Sequence, residues 1–300
     1  MNNTEKALKF AKTSSDKPKI IVIYWPTWAG KTDMSIDIAK ALDTEIISTD
    51  SRQIFKEMDI WTGKITPEET KWVPHHMLDI VSPDEEYSVW EFKRQAEKIM
   101  WDLYAQDKIP MLVGWTGLYI DSIIYEFDIP ELPADWELRE KLEKQRLEKW
   151  NEWLHKELEK IDPEYAAELH PNNYRYVIRA IEVKKLTWKS KTEFRQDKKL
   201  KYDVLFLTPY HGDREWLYDR INRRVLMFED MWVFDEVKKL YEKYWEEAFW
   251  MKSIGYQEII PYLKWEISKQ QAIEDIQKNS RHYAKRQITW FKKYTQNEKN

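Results

Sequence analysis

Gly30-Lys31-Thr32 stands between the β-branched run KIIVIY at 19–24 and an amphipathic stretch that begins at Thr32. A strand, a phosphate-cradling loop and a helix are written in that order. The three residues divide the work of holding an anion. Backbone N–H groups at the helix N-terminus meet phosphate oxygens, Lys31 adds a point charge, and the Thr32 hydroxyl is suited to ligate Mg²⁺. The competing reading is an ordinary helix start. Asp50 closes a second apolar run, EIIST at 45–49. Ligands of open α/β sheets bind beyond the carboxyl ends of the strands, so a carboxylate there suits a general base or a metal ligand, and equally a helix cap.

The loop itself is unusual, because Trp25 and Trp28 occupy a stretch whose bare backbone must approach phosphate closely, which is glycine's usual task. The chain of 300 residues has 6 glycines beside 17 tryptophans, where average usage of about 7% gives roughly 21 glycines. Thirteen tryptophans, at positions 25, 28, 61, 72, 90, 101, 115, 150, 188, 232, 245, 250 and 265, fall at loop, turn or helix-end contexts. Trp136, Trp153, Trp216 and Trp290 lie inside amphipathic helical patterns instead. We read the thirteen as glycine-type positions occupied by tryptophan, which sets the phosphate loop as written against its own task.

The elements that must position these residues follow from periodicity. Residues 19–24, 45–49, 109–113 and 203–208 read as strands. Residues 32–42 read as a helix, and Ser88 with Glu91 forms a capping box that opens another to about Gln106. Strands alternating with helices imply a parallel sheet covered on both faces. From Leu132 to Leu200 the chain is strongly helical, and residues 169–200 hold nine Lys/Arg against three Asp/Glu. Helical patterns return from Arg214, and Ser268 with Gln271 opens a final long helix that ends in a basic segment, 285–293. The fold class is therefore α/β, with a core over 1–130 and 201–300 and a helical insertion over 131–200.

The remaining bounds are permissive. A hydrophobic content of 42% supports a full core. Zero cysteines exclude disulfides and thiolate metal sites and fit a reducing interior. The N-terminal stretch lacks an apolar signal region, and no run approaches the ~18 apolar residues of a membrane span. A cytoplasmic protein is expected. The net charge of −4 argues that any nucleic-acid surface is local. His75 and His76 read as structural, since two adjacent histidines without further ligands do not make a metal site.

Seven segments, PTWAGKT, STDSRQIF, MDIWTGK, VPHHMLDI, YSVWEFKRQA, PMLVGWTGLYI and AKRQITW, occur in this order across nearly the whole sequence. Together they resemble the bacterial tRNA dimethylallyltransferases, a family with glycine at most of the tryptophan sites just quoted, notably 25, 61 and 115. The resemblance implies a P-loop NTPase-like sheet and transfer of a dimethylallyl group from dimethylallyl diphosphate to N6 of the adenine 3′ of a tRNA anticodon. It implies that Thr27, Ala29, Gly30, Lys31, Thr32 and Arg224 hold the diphosphate, with Mg²⁺ on Thr32 and a bidentate contact from Arg224. Charge developing on the leaving pyrophosphate is what Lys31, Thr32 and Mg²⁺ would neutralise.

By the same resemblance Asp50 accepts the N6 proton, with Thr32 and Arg224 completing the catalytic set, and Asp50, Ser51, Arg52 and Gln53 hold the base. Thr116 would grip the flipped adenine, or else cap a helix. Arg139, Arg175 and Arg179, with Lys285, Arg286 and Gln287, match tRNA-facing positions, though each taken singly also reads as a solvated helix face. Partners are then tRNA and dimethylallyl diphosphate, with no membrane, and the expected state is a monomer. Competing readings are a small-molecule or nucleotide kinase, an isopentenyltransferase of free adenine nucleotides, and an inactive tRNA-binding chain with a spoiled phosphate loop. The first two need no basic insertion.

Overall fold

The computed structural model describes residues 2–24, 31–126, 134–194, 199–209, 212–244 and 249–297, with backbone alone at 31–32, 249–250 and 295–297. Helix α1 (Asn3–Ala11) precedes strand β1 (Lys19–Tyr24), and helix α2 (Lys31–Ala41) leads to β2 (Ile46–Thr49). A two-residue strand, β3 (His75–His76), helix α3 (Val89–Tyr104), β4 (Met111–Gly114) and α4 (Gly117–Ile124) follow. After the helices α5 (Trp136–Ile161), α6 (Pro163–Ala166) and α7 (Tyr174–Thr187), strand β5 (Asp203–Leu207) returns to the sheet. Helices α8 (Arg214–Asp230), α9 (Val233–Tyr244), α10 (Ile260–Leu263) and α11 (Lys269–Asn297) complete the described chain.

All five strands are parallel, in the order β3-β2-β4-β1-β5. Period-two alternation divides the runs between two layers. Ile20, Val22 and Tyr24 face one apolar cluster with Phe92, Ile120, Leu217 and Phe291. Ile21 and Ile23 face the other, with Ile36, Ile38 and Ile46. The strands are therefore buried on both sides. The capping box at Ser88 is formed, with Glu91 N–H donating to Ser88 Oγ at 3.2 Å and Ser88 N–H donating to Glu91 Oε2 at 2.7 Å.

The helices between residues 134 and 194 pack around an apolar cluster of their own, including Leu142, Leu154, Leu158 and Val177. An antiparallel bridge between Tyr125 and Leu200 joins the two ends of this excursion. Helix α5 is not continuous, because Trp150 takes φ 72° and ψ 168°, and the helix kinks there. That backbone region is essentially glycine's alone.

Among the described residues Trp150 is one of five tryptophans with positive φ, together with Trp72, Trp188, Trp232 and Trp265. All five belong to the thirteen glycine-type positions, and their side chains are 71–98% exposed. Backbone of this hand is unfavourable for any residue with a Cβ, by about 1–2 kcal/mol. Trp61 behaves differently. Its ring is half-buried against the main core, edge-on to Phe228 at 5.6 Å. Trp101 lies in the last turn of α3, where its carbonyl accepts the Ala105 N–H.

Candidate active site

The four residues that follow β2 divide two spaces. Asp50 and Gln53 line a narrow cavity of about 100 Å³ on the α2 side of the sheet. Ser51 and Arg52 line a cleft of about 320 Å³ on the other side. Local hydrogen bonds hold the segment in this form. Asp50 Oδ1 accepts from Arg52 N–H at 2.9 Å, and Asp50 N–H donates to Ser48 Oγ at 3.4 Å. Gln53 accepts from Ser48 Oγ at 3.1 Å and donates from Nε2 to the carbonyls of Thr62 and Gly63, each at 3.2 Å. Its amide is thus engaged in fixing the Thr62–Gly63 turn.

In the narrow cavity Asp50, itself buried, meets Arg224 of α8. Burial draws the Arg224 guanidinium down to about 9, opposed by the charge of Asp50. The guanidinium lies 4.4 Å over the Phe228 ring and crowds Gly63, whose φ is +58°. Ser35, Ser48 and His75 add polar groups, and Ile46, Ile65, Leu78 and Val113 form an apolar flank. His75 Nδ1–H donates to the Val73 carbonyl at 2.8 Å, and burial lowers its pKa, so the ring is neutral at pH 7. The phosphate-loop residues Thr27, Ala29 and Gly30, with Trp25 and Trp28, lie outside the described residues, as do the side chains of Lys31 and Thr32. Among the described residues no group of three or more His, Asp or Glu is placed to hold a metal ion.

The wider cleft is aromatic and basic. Tyr87, Trp90, Tyr119 and Trp136 line it beside Arg52, Arg139 and Arg179. Tyr119 stacks on Phe92 at 3.9 Å. Burial pushes the Tyr87 hydroxyl well above its usual range, and no described residue pairs with it. Thr116 also lines the cleft. It occupies the N-cap position of α4 but makes no capping bond. Instead its Oγ1 accepts from Ser51 N–H at 3.0 Å and donates to Ser51 Oγ at 3.2 Å. Arg52 is lowered by burial, offset by Tyr283, Tyr119 and Asp50.

Arg139 and Arg179 are not the freely solvated side chains that each reads as in isolation. Glu182 of α7, fully buried, takes a bidentate pair from Arg139 at 3.0 and 2.9 Å and a further bond from Arg179. It also accepts Asp135 N–H at 2.8 Å. One carboxylate thereby fixes two guanidinium groups at the cleft. Arg175 is exposed on α7 and does not line the cleft. Lys285 and Arg286 of α11 border a neighbouring groove with Leu118, Trp290 and Lys293. Gln287 turns inward and is buried, so it is not a surface contact in this structure.

Two carboxylates were not singled out by their sequence motifs. Glu182 is one. Glu236 of α9 is the other; it accepts the N–H groups of Asp59, Ile60 and Trp61 at 2.8, 2.6 and 3.3 Å and the Tyr256 hydroxyl at 2.9 Å. It thereby ties down the loop that carries Gly63. Each interrupts an apolar helical stripe, Glu182 beside Ile181 and Val183 and Glu236 between Val233 and Leu240. A charge on a buried stripe is the available sequence signal.

Comparison with known proteins gives consistent results. The family described as IPP transferase matches residues 53–294, and isopentenyl transferase matches residues 18–79. A tRNA dimethylallyltransferase of Alkaliphilus oremlandii is 45% identical over 281 residues, covering 93% of this chain and 90% of its own. The crystal structure of a tRNA isopentenylpyrophosphate transferase from Staphylococcus epidermidis aligns with TM-score 0.67 at 40% identity, covering 92% of this chain and 90% of that one. A eukaryotic dimethylallyltransferase, solved acting on tRNA, aligns with TM-score 0.79 at 31% identity, over 91% of this chain and 70% of that one.

Proposed function

The chain belongs to the IPP transferase family, and from that premise we propose that it transfers a dimethylallyl group from dimethylallyl diphosphate to N6 of the adenine 3′ of a tRNA anticodon. The observation that carries the residue-level reading is the two-sided Asp50–Gln53 segment, with a small cavity bearing Asp50 and Arg224 on one side and an aromatic, basic cleft on the other.

The donor lies in the narrow cavity and the adenine reaches Asp50 from the cleft. An exocyclic amine is a weak nucleophile, so Asp50 takes the N6 proton as the new C–N bond forms and the C–O bond to diphosphate breaks. Arg224 faces the departing diphosphate, where its charge counts most because the site is buried. Lys31 and Thr32 are the residues that the resemblance gives to the same anion. A Mg²⁺ ion belongs to this reading through the resemblance. Thr32, with the diphosphate, would hold it. When bound, it neutralises charge on the leaving group.

Reaching N6 requires the base to leave its stack. Aromatic rings such as Trp90 and Trp136 at the cleft give it a stacking surface. Arg139 and Arg179, with Lys285 and Arg286 on α11, meet backbone phosphates and position the anticodon loop without reading sequence. The protein acts as a monomer in the cytoplasm. No helix among the described residues is long and apolar enough to cross a membrane.

The reading is tested by offering labelled dimethylallyl diphosphate with an anticodon stem-loop, AMP or ATP as acceptor. Transfer to the stem-loop at N6 is expected. Equal or better use of the free nucleotides overturns it in favour of a nucleotide isopentenyltransferase.

A further inference from the structure

We infer that the narrow cavity beside Asp50 sets the length of the allylic chain, admitting five carbons and excluding ten, and that Leu78 and Ile65 are the residues that set the limit. The inference rests on the reading that the donor occupies this cavity.

The cavity runs along one face of the sheet. Ile46, Ser48 and Asp50 alternate onto that face, and the strand register sets Val113 beside Ser48 and His75 beside Ile46. Its polar groups, Asp50, Arg224, Ser48 and Gln53, suit the reacting end of a donor, whereas Ile46, Ile65, Leu78 and Val113 offer an apolar lining with no role in proton or charge transfer. An allylic hydrocarbon is the part of the donor that such a lining fits.

Size makes the lining selective. An apolar cavity of roughly 150 Å³ takes up a benzene ring, six carbons. At about 100 Å³ this one is commensurate with a branched five-carbon group and leaves the second five carbons of a ten-carbon chain without apolar lining. Packing says which wall can change. Ile46 is buried in the second apolar cluster and Val113 is fixed in β4, whereas Ile65 packs at the edge of that cluster from outside every strand and helix. Leu78 belongs to none of the three clusters of described residues, although it is half-buried and lines the cavity. Its side chain therefore bounds the cavity without contributing to the core. Leu→Ala and Ile→Ala each remove three carbons, so the pair opens room for the five additional carbons of a geranyl group.

The test compares kcat/KM for dimethylallyl and geranyl diphosphate with an anticodon stem-loop, in the full chain and in its Trp25→Gly/Trp28→Gly form. Both donors carry the same diphosphate, so their ratio cancels the contribution of the phosphate loop. Leu78→Ala/Ile65→Ala is expected to raise the geranyl-to-dimethylallyl ratio at least tenfold. Leu78→Phe, which narrows the cavity, is expected to raise KM for dimethylallyl diphosphate at least fivefold. A ratio within twofold of the parent in the double variant, with Asp50-dependent dimethylallyl transfer intact, overturns the inference. If Asp50→Asn leaves dimethylallyl transfer undiminished, it is the underlying placement of the reaction that fails instead.

Discussion

Gly63 is the residue that makes room for Arg224. A Cβ built on Gly63 would overlap the Arg224 guanidinium, and the backbone there takes φ +58°. The turn that carries Gly63 is held from both ends, by the Gln53 amide and by Glu236 beneath Asp59–Trp61. Gly63 therefore leaves open the space in which the guanidinium sits, in the cavity it shares with Asp50.

Gly63→Ala accordingly costs about 1–2 kcal/mol in backbone conformation alone and displaces Arg224. Prenyl transfer to tRNA is expected to fall at least tenfold, with a loss larger than the fall in thermal stability explains. Retention of full kcat/KM in a folded Gly63→Ala protein would show that Arg224 works from another position.

Asp50→Ala removes the proposed proton acceptor and leaves the cleft's aromatic and basic walls in place. A general base contributes about 10²–10⁴-fold, so kcat is expected to fall by that range while tRNA affinity, read by filter binding, stays within about threefold. A rate loss under tenfold assigns Asp50 a merely structural part.

Glu182→Ala leaves two guanidinium groups and the Asp135 N–H without their shared acceptor. Breaking a buried ion pair by removing one partner costs about 3–5 kcal/mol. Urea unfolding followed by the fluorescence of the insertion's tryptophans, Trp136, Trp150, Trp153 and Trp188, is expected to show this loss, and KM for tRNA is expected to rise at least tenfold. An unchanged KM would mean that Arg139 and Arg179 serve only to hold α5 against α7.

Replacing Trp72, Trp150, Trp188, Trp232 and Trp265 by glycine relieves left-handed backbone at five exposed sites. Each relief amounts to about 1 kcal/mol, and Trp150, in the region that only glycine visits freely, is expected to give the most. Differential scanning calorimetry of the single variants checks the order. Trp61→Gly is the counter-example, expected to destabilise because its ring packs on Phe228.

Trp25→Gly with Trp28→Gly is expected to strengthen binding of dimethylallyl diphosphate and Mg²⁺, because the loop must present bare backbone to phosphate. Calorimetric titration of both folded chains measures it. Equal affinity would show that the indoles do not obstruct the anion.

The strands at 19–24, 46–49, 111–114 and 203–207 were legible because an apolar run bounded by polar residues needs no distant information, and the Ser88–Glu91 capping box is likewise local. Strand β3 was not, since two histidines carry no period. Nor was the division of Asp50–Gln53 between two spaces. That division depends on Thr116 and on the Thr62–Gly63 turn, contacts that local spacing does not encode. The pairing of Arg139 with Glu182 spans 43 positions, and each arginine alone looks like a solvated helix face. What sequence supplied was the types of residue. Their partners came from the fold.

The proposed placement of one substrate on each side of a four-residue segment also governs kinetics. Neither molecule has to pass the other on its way in, and neither must leave before the other arrives. No enzyme-bound prenyl group is needed as an intermediate, because the acceptor nitrogen and the donor carbon can occupy their sides of Asp50 at the same moment. Initial-rate plots at varied donor and fixed acceptor should then give intersecting lines rather than parallel ones. Diphosphate should compete with the donor while leaving the nucleic acid's own binding untouched, and the modified tRNA should be free to depart first or last.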